Sequence, residues 1–382
     1  MEHINILIIG AGVAGLTCAG LLEKNGIRTT IIEKETSEAF NSSGYMLGLL
    51  PLGGRVLTEL NLKDEYFQQS VEMQKYEIHR ENGELNKAYS LDFINEKYGS
   101  YRGVERKTLI ELLLRKVNKS EIKYGTTARS FQQQNNLITV SFSDNTQKTF
   151  DLVIAADGLH SQTREQLWNN DEYSFYDTQW GGWVAWLENK SMNTYKEYWG
   201  AASFIGFYPV KDKIGIFLGG PDELVQKHGL QDFVQEVQNN IKPEYALLHE
   251  SLDALKKLTE PYYWEFHDCK TKSWKKGNVL LLGDAACGFL PTAGVGASMA
   301  MDAASALVDE LSRTDKEHLE YGLGLFIKRE KERVENAQEN SRDLGKMMFV
   351  KSHLIAGIRD YAIRFYSLKQ LTKSISKTIE GK

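Results

Sequence analysis

The sequence has few cysteines, few prolines, no excess of positive charge and no long apolar run, and each shortage removes a class of protein. Cys18, Cys269 and Cys287 are the only cysteines in 382 residues. An odd number without metal-ligand spacing, one of them inside a predicted helix, implies neither a disulfide framework nor a metal site and fits a reducing cytoplasm. Six scattered prolines leave no proline-rich linker, and no internal repeat or low-complexity segment is found. The formal net charge of −5 and the pI near 6.0 offer no basic field. With no arginine-rich or zinc-finger pattern either, nucleic acid is excluded as a partner. No stretch approaches the roughly 18 apolar residues of a membrane span. The apolar residues 4–9 run straight into glycines without the basic start or cleavage pattern of a signal peptide. The expectation is a cytoplasmic protein without a transmembrane segment, a monomer or homodimer.

What is present is an ordinary globular composition, 42% hydrophobic and 25% charged, on a chain long enough for two packed domains. Residues 5–9 form a run that is wholly apolar after Asn5, Gly10, Gly12 and Gly15 follow with Val13 and Ala14 between them, and helical character continues to residue 24. Residues 28–32 predict a second strand, with Glu33 at its tip and Lys34 beside it. Strand, glycines, helix, strand and acid in that order are the dinucleotide fingerprint: the glycines allow a tight turn and close approach to a pyrophosphate, and the acid accepts from ribose hydroxyls.

A second device of this kind lies near the other end. Residues 278–282 read as a buried strand that stops at Gly283 and Asp284; a loop with Pro291, Gly294, Val295 and Gly296 follows, and a small-residue helix is predicted over 297–307, starting at Ala297. Such a loop aims free N–H groups of a helix N-terminus at an anion or a polarised carbonyl. A third apolar run, 152–156, ends at Asp157 and Gly158. In a doubly wound sheet the C-terminal strand ends line one crevice, so motifs from both ends of the sequence converge on one extended ligand.

The segments between carry less definite signals. Residues 42–54, rich in glycine and apolar side chains, read either as a loop closing over a flat ring or as an ordinary cover of the core, with a helix over 54–60 after it. Arg106 begins a helix over 107–116, where a cation opposes the dipole; it is either a ligand contact or a solvated arginine. Residues 71–97 predict a hairpin, and 122–148 an antiparallel meander. Aromatic residues crowd 173–220 in strand-like segments. Alternation puts Trp183 and Ala185 on one face and Trp180, Val184 and Trp186 on the other; one face is expected to pack on the body, and the aromatics of the other either wall a pocket or are sheet core. Helical patterning returns over 221–258, a strand is predicted over 262–268, and helices follow residue 307. On the last of these Leu354, Ile358, Tyr361, Phe365, Leu368 and Ile375 form an apolar stripe with Lys369, Lys373 and Lys377 off it. Packing on the body is the expectation, a membrane contact the alternative.

Taken together, these motifs resemble the class A flavin-dependent aromatic monooxygenases, the family of para-hydroxybenzoate and salicylate hydroxylases. GAGVAG with Glu33 is similar to their ADP-binding motif, AADGLHSQTR (155–164) to their Asp-Gly motif, and GDAACGFLPTAGVGASMAMDA (283–303) to their Gly-Asp motif. Arg106 in ERKTL corresponds to an arginine on the flavin side of the cofactor, and GYMLGLLPLGGRVLTEL (44–60) looks like the loop beside the flavin ring. YWGAASFIGFYPVKDKIGIF (198–217) resembles substrate-domain strands of the salicylate- and urate-hydroxylase-like branch, and FIKREKERVENAQENSRDLG (326–345) the helix after the last motif. The chain departs from the family at Cys287, Val295, Ser298 and Leu52, where His, Gln, Asn and Asn are common. The first three are expected closest to where substrate meets the ring.

The resemblance implies an α/β fold: a Rossmann-like FAD-binding domain built from 1–70, 98–168 and 270–345, an interleaved β-sheet substrate domain from 71–97 and 169–269, and C-terminal helices over 346–382. It implies FAD held by Gly10, Gly12, Val13, Ala14, Gly15, Glu33, Lys34, Arg106, Asp157, Gly283, Asp284, Pro291, Gly294, Val295, Gly296 and Ala297. Met46, Trp183, Phe207, Phe217, Phe289 and Pro291 are expected against the substrate. NAD(P)H serves as a transient reductant, O2 gives a flavin C4a-hydroperoxide, and the distal oxygen passes to an aromatic or polycyclic small molecule. No catalytic side chain is assigned, because the cofactor carries the chemistry. Two narrower readings stay open: a tetracycline-inactivating enzyme of the same branch, and a non-catalytic FAD-binding redox sensor reporting through Cys287.

Overall fold

The computed structural model describes residues 4–42, 44–189, 191–259 and 263–366. The predicted apolar runs become the middle of a six-stranded sheet in the order Lys275–Lys276, Val279–Leu281, Leu152–Ala155, Ile6–Ile9, Thr29–Glu33, Glu121–Tyr124. Every neighbouring pair is parallel except the first. Ile6, Leu7 and Ile8 are wholly buried, as strands covered on both faces must be, and this is why they read as continuous rather than alternating apolar sequence. The helices Val13–Lys24 and Gly296–Ser312 pack on each other, bringing the two glycine motifs together.

The meander expected over 122–148 is only partly formed. Ala128–Gln134, Leu137–Phe142 and Gln147–Phe150 make a three-stranded antiparallel sheet, turning at Asn135 and Asn145 with φ of 52° and 65°. The segment before it, Glu121–Tyr124, instead pairs in parallel with Thr29–Glu33. The stretch read as a loop over 42–54 holds the strand Met46–Leu49, paired with Arg102–Glu105. The helix after it starts earlier than expected, at Pro51, whose fixed φ suits a first helical position.

The hairpin Lys75–Arg80 and Leu85–Ser90 joins the later strands in one seven-stranded sheet: Tyr263–Thr271, Tyr173–Glu188, Lys213–Pro221, Phe204–Pro209, Thr194–Trp199, Lys75–Arg80, Leu85–Ser90. Period-two alternation gives this sheet two different faces. On one, Trp183, Ala185, Phe207, Ile216 and Leu218 pack against Val225, Phe233, Val234, Leu248 and Leu252 of the helices Asp222–Asn239 and Ala246–Lys256. The first of these helices is broken at Gly229, with φ 72°. On the other face Trp180, Trp199, Phe204, Phe217 and Phe266 turn toward the body of the molecule.

The C-terminal helix His353–Ile363 reverses an expectation. Leu354, Ile358, Tyr361 and Phe365 are 76%, 62%, 64% and 71% exposed; the side against the body is Ala356, Arg359 and Ile363. The attachment is polar: Arg359 donates to the carbonyls of Trp199 (2.6 Å), Gly200 (3.2 Å) and Met348 (3.3 Å). Leu368, Ile375, Lys369, Lys373 and Lys377 lie outside the described residues. Among the described residues no helix is long and apolar enough to cross a membrane.

Candidate active site

The first glycine turn divides its labour. Gly10 has φ +98°, and a Cβ there would lie 2.5 Å from the Ala156 carbonyl oxygen; a Cβ on Gly15 would lie 2.0 Å from that of Gly10. These two glycines let backbone pack on backbone. Gly12 is different. Nothing lies within 4 Å of its Cβ position, which opens into a cleft. The helix it begins, Val13–Lys24, has no side-chain cap and no acid in its first turn, so its leading N–H groups and positive dipole end are free for an anion. Glu33 accepts from the N–H groups of Ala11 (2.8 Å) and Glu35 (3.0 Å), fixing the turn.

The second motif meets the first directly. Gly283, at φ +63°, stands so close to Ala14 that an added Cβ would be 2.9 Å from the Ala14 methyl. Asp284, next to it, faces the cleft. The residue is exposed toward the cleft, yet the protein packed around its carboxyl displaces enough water to raise its pKa to about 6. Beyond a turn at Gly294 (φ 59°), the helix Gly296–Ser312 begins, again without a side-chain cap or an acid in its first turn. Arg106 comes in from the side, its N–H donating to the Tyr45 carbonyl at 2.8 Å and its guanidinium 5.7 Å from the Tyr45 ring centroid.

These groups lie on one cleft of ≈ 1840 Å³. Its walls include Gly12, Val13, Ala14, Arg106, Asp284, Pro291, Gly294, Val295, Gly296 and Ala297 among the expected cofactor residues, and Met46, Phe217, Phe289 and Pro291 among the expected substrate residues. The cleft thus runs without interruption from the first glycine turn to the inward face of the seven-stranded sheet. Among the described residues no cluster suited to a metal ion is found.

Residues 3–325 match the FAD binding domain family. A flavin-dependent monooxygenase of an unknown prokaryotic organism is 26% identical over 347 residues, spanning 84% of this chain and 83% of that protein. The chain belongs to the FAD-dependent monooxygenase family. Two solved structures share its fold. Klebsiella pneumoniae HpxO complexed with FAD and uric acid superposes with a TM-score of 0.86 at 20% identity, over 100% of this chain and 97% of that one. Tetracycline destructase Tet(55) does so with a TM-score of 0.75 at 21% identity, over 99% and 97%. The class A resemblance read from the motifs is borne out.

Several expected residues of the monooxygenase lie off the cleft wall, each for a physical reason. Trp183 and Phe207 project from the opposite sheet face into the core under the two covering helices; strand parity instead gives the cleft Val184, Trp186, Phe204 and Tyr208. Asp157 accepts from the Ser161 hydroxyl (2.6 Å) and the Thr163 N–H (3.0 Å), so it caps the following helix while Gly158 and His160 line the cleft. Gly10, Gly15, Glu33 and Gly283 shape the turns from behind, and Lys34 is exposed on the surface.

Of the departures from the family pattern only Val295 lines the cleft. Ser298 is buried and accepts the Leu50 N–H at 2.9 Å, tying the helix Gly296–Ser312 to the Met46–Leu49 strand end. Cys287 is 1% exposed, and burial pushes its thiol up, toward the inert form. The largest omission from the sequence reading is polar. Tyr76, Tyr101, Tyr195, Glu197 and Tyr208 all line the end of the cleft walled by the seven-stranded sheet. Burial raises the Glu197 carboxyl, and hydrogen bonds from Tyr76, Trp199 and Tyr208 pull it back. The sequence signal was available in the parity of Tyr195, Glu197 and Trp199, three alternate positions of one strand.

Proposed function

We propose that the monooxygenase uses NAD(P)H and O2 to hydroxylate a flat aromatic or polycyclic small molecule held between the 291–297 loop and the inward face of the seven-stranded sheet. The observation that carries this reading is the continuity of the cleft: anion-ready backbone at one end, aromatic wall at the other, Asp284 and Arg106 between them. A volume of ≈ 1840 Å³ exceeds the roughly 300–1,000 Å³ of a single small-molecule site, so a dinucleotide and a drug-sized ring system share it. That size favours a polycycle over a single small phenol.

The open space at Gly12 is the shape a phosphate group needs, and the uncapped N–H groups of Val13–Lys24 supply its hydrogen bonds. The pyrophosphate of FAD belongs there, with Glu35, whose N–H Glu33 holds from behind, toward the ribose, Asp284 toward the ribityl hydroxyls and Arg106 on the ring side. When bound, FAD supplies hydride acceptance and oxygen activation. The chain's part is electrostatic and steric. N–H groups of Val295 to Ala297 stabilise negative charge arising at the adjoining ligand edge. Met46, Phe289 and Met347 keep the reacting end dry. The reductant visits transiently from the open side of the cleft, and the FAD-binding and substrate portions divide at the boundaries given above.

The test is substrate-dependent NAD(P)H oxidation by the FAD-loaded protein, with ¹⁸O from ¹⁸O2 found in the product. Reduction without incorporation across a panel of fused-ring aromatics counts against the reading. The redox-sensor alternative has little support: Cys287 is buried behind the cleft with its thiol held protonated.

A further inference from the structure

The residues through which the strands Lys75–Arg80, Thr194–Trp199, Phe204–Pro209 and Lys213–Pro221 line the cleft are aromatic apart from Glu197. The strand Thr194–Trp199 points Tyr195, Glu197 and Trp199 inward, and Glu197 is 4% exposed. Its Oε2 accepts from the Tyr76 hydroxyl at 2.5 Å and the Trp199 indole N–H at 3.0 Å; its Oε1 accepts from the Tyr208 hydroxyl at 2.9 Å. The groups that stabilise its charge are these neutral donors, and no described ion pair involves it. A buried carboxylate without a cation is costly to hold, and packing alone is met more cheaply by an apolar residue. A carboxylate offers about four acceptor positions. Those three bonds leave one, on Oε1, beside the cleft that Glu197 lines.

A second observation points to a ligand at this end. The Tyr195 hydroxyl is buried, and its polar neighbour among the described residues is the Tyr101 hydroxyl, at a geometry poorer than that of an ordinary hydrogen bond. It stands near the Tyr101 hydroxyl: a Cβ on Gly48 would lie 2.7 Å from the Tyr101 oxygen and 3.2 Å from that of Tyr195. The Tyr101 oxygen is also 3.1 Å from the Cβ position of Gly294. Hydroxyl groups thus mark a path from the glycine loop to the carboxylate.

We infer that Glu197 is the specificity-determining group of the substrate site: its open acceptor position takes a hydrogen bond from an O–H or N–H on the substrate ring edge remote from the glycine loop. The enzyme therefore selects neutral or cationic aromatics bearing such a donor, and rejects aryl carboxylates, whose charge would meet a buried anion with no cation between them. This rests on the hydroxylase reading of the cleft, and the experiment separates the two.

The test measures dissociation constants of the FAD-loaded protein for naphthol and naphthoate of the same ring position, followed by perturbation of the flavin spectrum, which needs no turnover. Wild type is expected to bind naphthol at least about tenfold more tightly, the effect of one charge-assisted hydrogen bond. Glu197→Gln removes the charge and is expected to bring the ratio within about threefold of unity. A wild type that binds neither compound, or naphthoate as tightly, overturns the inference. So does a Glu197→Gln protein that keeps the preference, whatever its melting temperature, since Glu197 would then be a packing hub. If that variant does not fold, Tyr208→Phe keeps the carboxylate and frees a further position on Oε1. Naphthol binding is then expected to hold or tighten with the preference intact, and loss of preference refutes the assignment. Failure of the hydroxylase reading shows differently, as preferential naphthol binding with no ¹⁸O incorporation from any bound aromatic.

Discussion

Replacing Gly12 by valine separates ligand contact from fold within a single turn. The position has extended backbone, φ −72° and ψ −172°, which a β-branched residue adopts without strain, and no atom lies within 4 Å of the new Cβ. Loss of glycine at the helix start costs about 1 kcal/mol or less, so the ligand-free variant is expected to fold and melt within a few degrees of wild type. The isopropyl group, however, fills the space in front of the helix N-terminus. Displacing the pyrophosphate from two of those N–H groups forfeits about 1.5–3 kcal/mol each, about 3–6 kcal/mol together, or roughly a hundredfold to ten-thousandfold in FAD dissociation constant. The control is three residues on: Gly15→Ala puts a methyl carbon 2.0 Å from the Gly10 oxygen and is expected to destabilise the protein itself by about 4 kcal/mol or more. FAD titration by fluorescence quenching, with urea unfolding of the ligand-free proteins, reads both effects. Gly12→Val with wild-type FAD affinity, or Gly15→Ala with wild-type stability, would refute the assignment of these glycines.

Other consequences follow from single contacts. Asp284 has its pKa raised from the ordinary 3.8 to about 6; the folded protein therefore binds the extra proton between these values, and this group's contribution to stability is full below about pH 4 and lost as pH rises through about 6. Urea unfolding of ligand-free wild type and Asp284→Asn at both ends of that window should show the wild type alone losing this increment, a small one because the carboxyl stays open to the cleft. Arg342→Met strips Asp268, which is 0% exposed, of donors at 2.8 and 2.6 Å and is expected to cost about 3–5 kcal/mol in urea unfolding; a change below 1 kcal/mol would speak against a buried pair. Trp183→Ala should cost about 3–5 kcal/mol with little effect on ligand binding, whereas Trp186→Ala should do the reverse, and equal effects would contradict the two-faced sheet.

How much was legible beforehand depended on the kind of constraint. The parallel strands announced themselves because residues 6–9 and 152–155 are buried on both faces and so carry uninterrupted apolar sequence. The glycine turns were legible because backbone approaches of 2.0 to 2.5 Å to a Cβ position tolerate no other residue. Side-chain direction on the seven-stranded sheet was half legible. Alternation correctly separated Trp183 from Trp186, but nothing local says which face meets the covering helices, because those helices lie about forty residues farther along. The apolar stripe on the last described helix was misjudged for a related reason: amphipathicity fixes a helix's faces, and Arg359 reaching three backbone carbonyls decided which one docked. Glu197 was least visible, since a lone carboxylate among Lys196 and Tyr195 looks like solvent-facing sequence until its donors arrive from Tyr76 and Tyr208.

The long helix Leu319–Met348 explains how two separately built halves present one cleft. Its sequence is highly charged, yet Gln338 and Ser341 are 0% exposed. The Gln338 amide donates to the carbonyls of Cys269 (2.9 Å) and Gly288 (2.6 Å), joining the strand Tyr263–Thr271 of the seven-stranded sheet to the loop after Asp284. One turn on, the Ser341 carbonyl accepts from the Thr292 hydroxyl at 2.7 Å, and Arg342 grips Asp268 from the same side. Near its end Leu344, Met347 and Met348 line the cleft. Hydrogen bonds to main chain fix a specific pairing of donor and acceptor, and close packing around them holds it. The register between the glycine loop at 291–297 and the aromatic sheet face is therefore set by this helix together with direct bonds between the strand and the loop, from the Gly288 N–H to the Cys269 carbonyl (2.8 Å) and from the Thr271 N–H to the Ala286 carbonyl (3.1 Å). On the proposed reading, a substrate ring seated on the sheet would be held at a fixed height over that loop, the relation that an oxygen transfer between two bound rings requires.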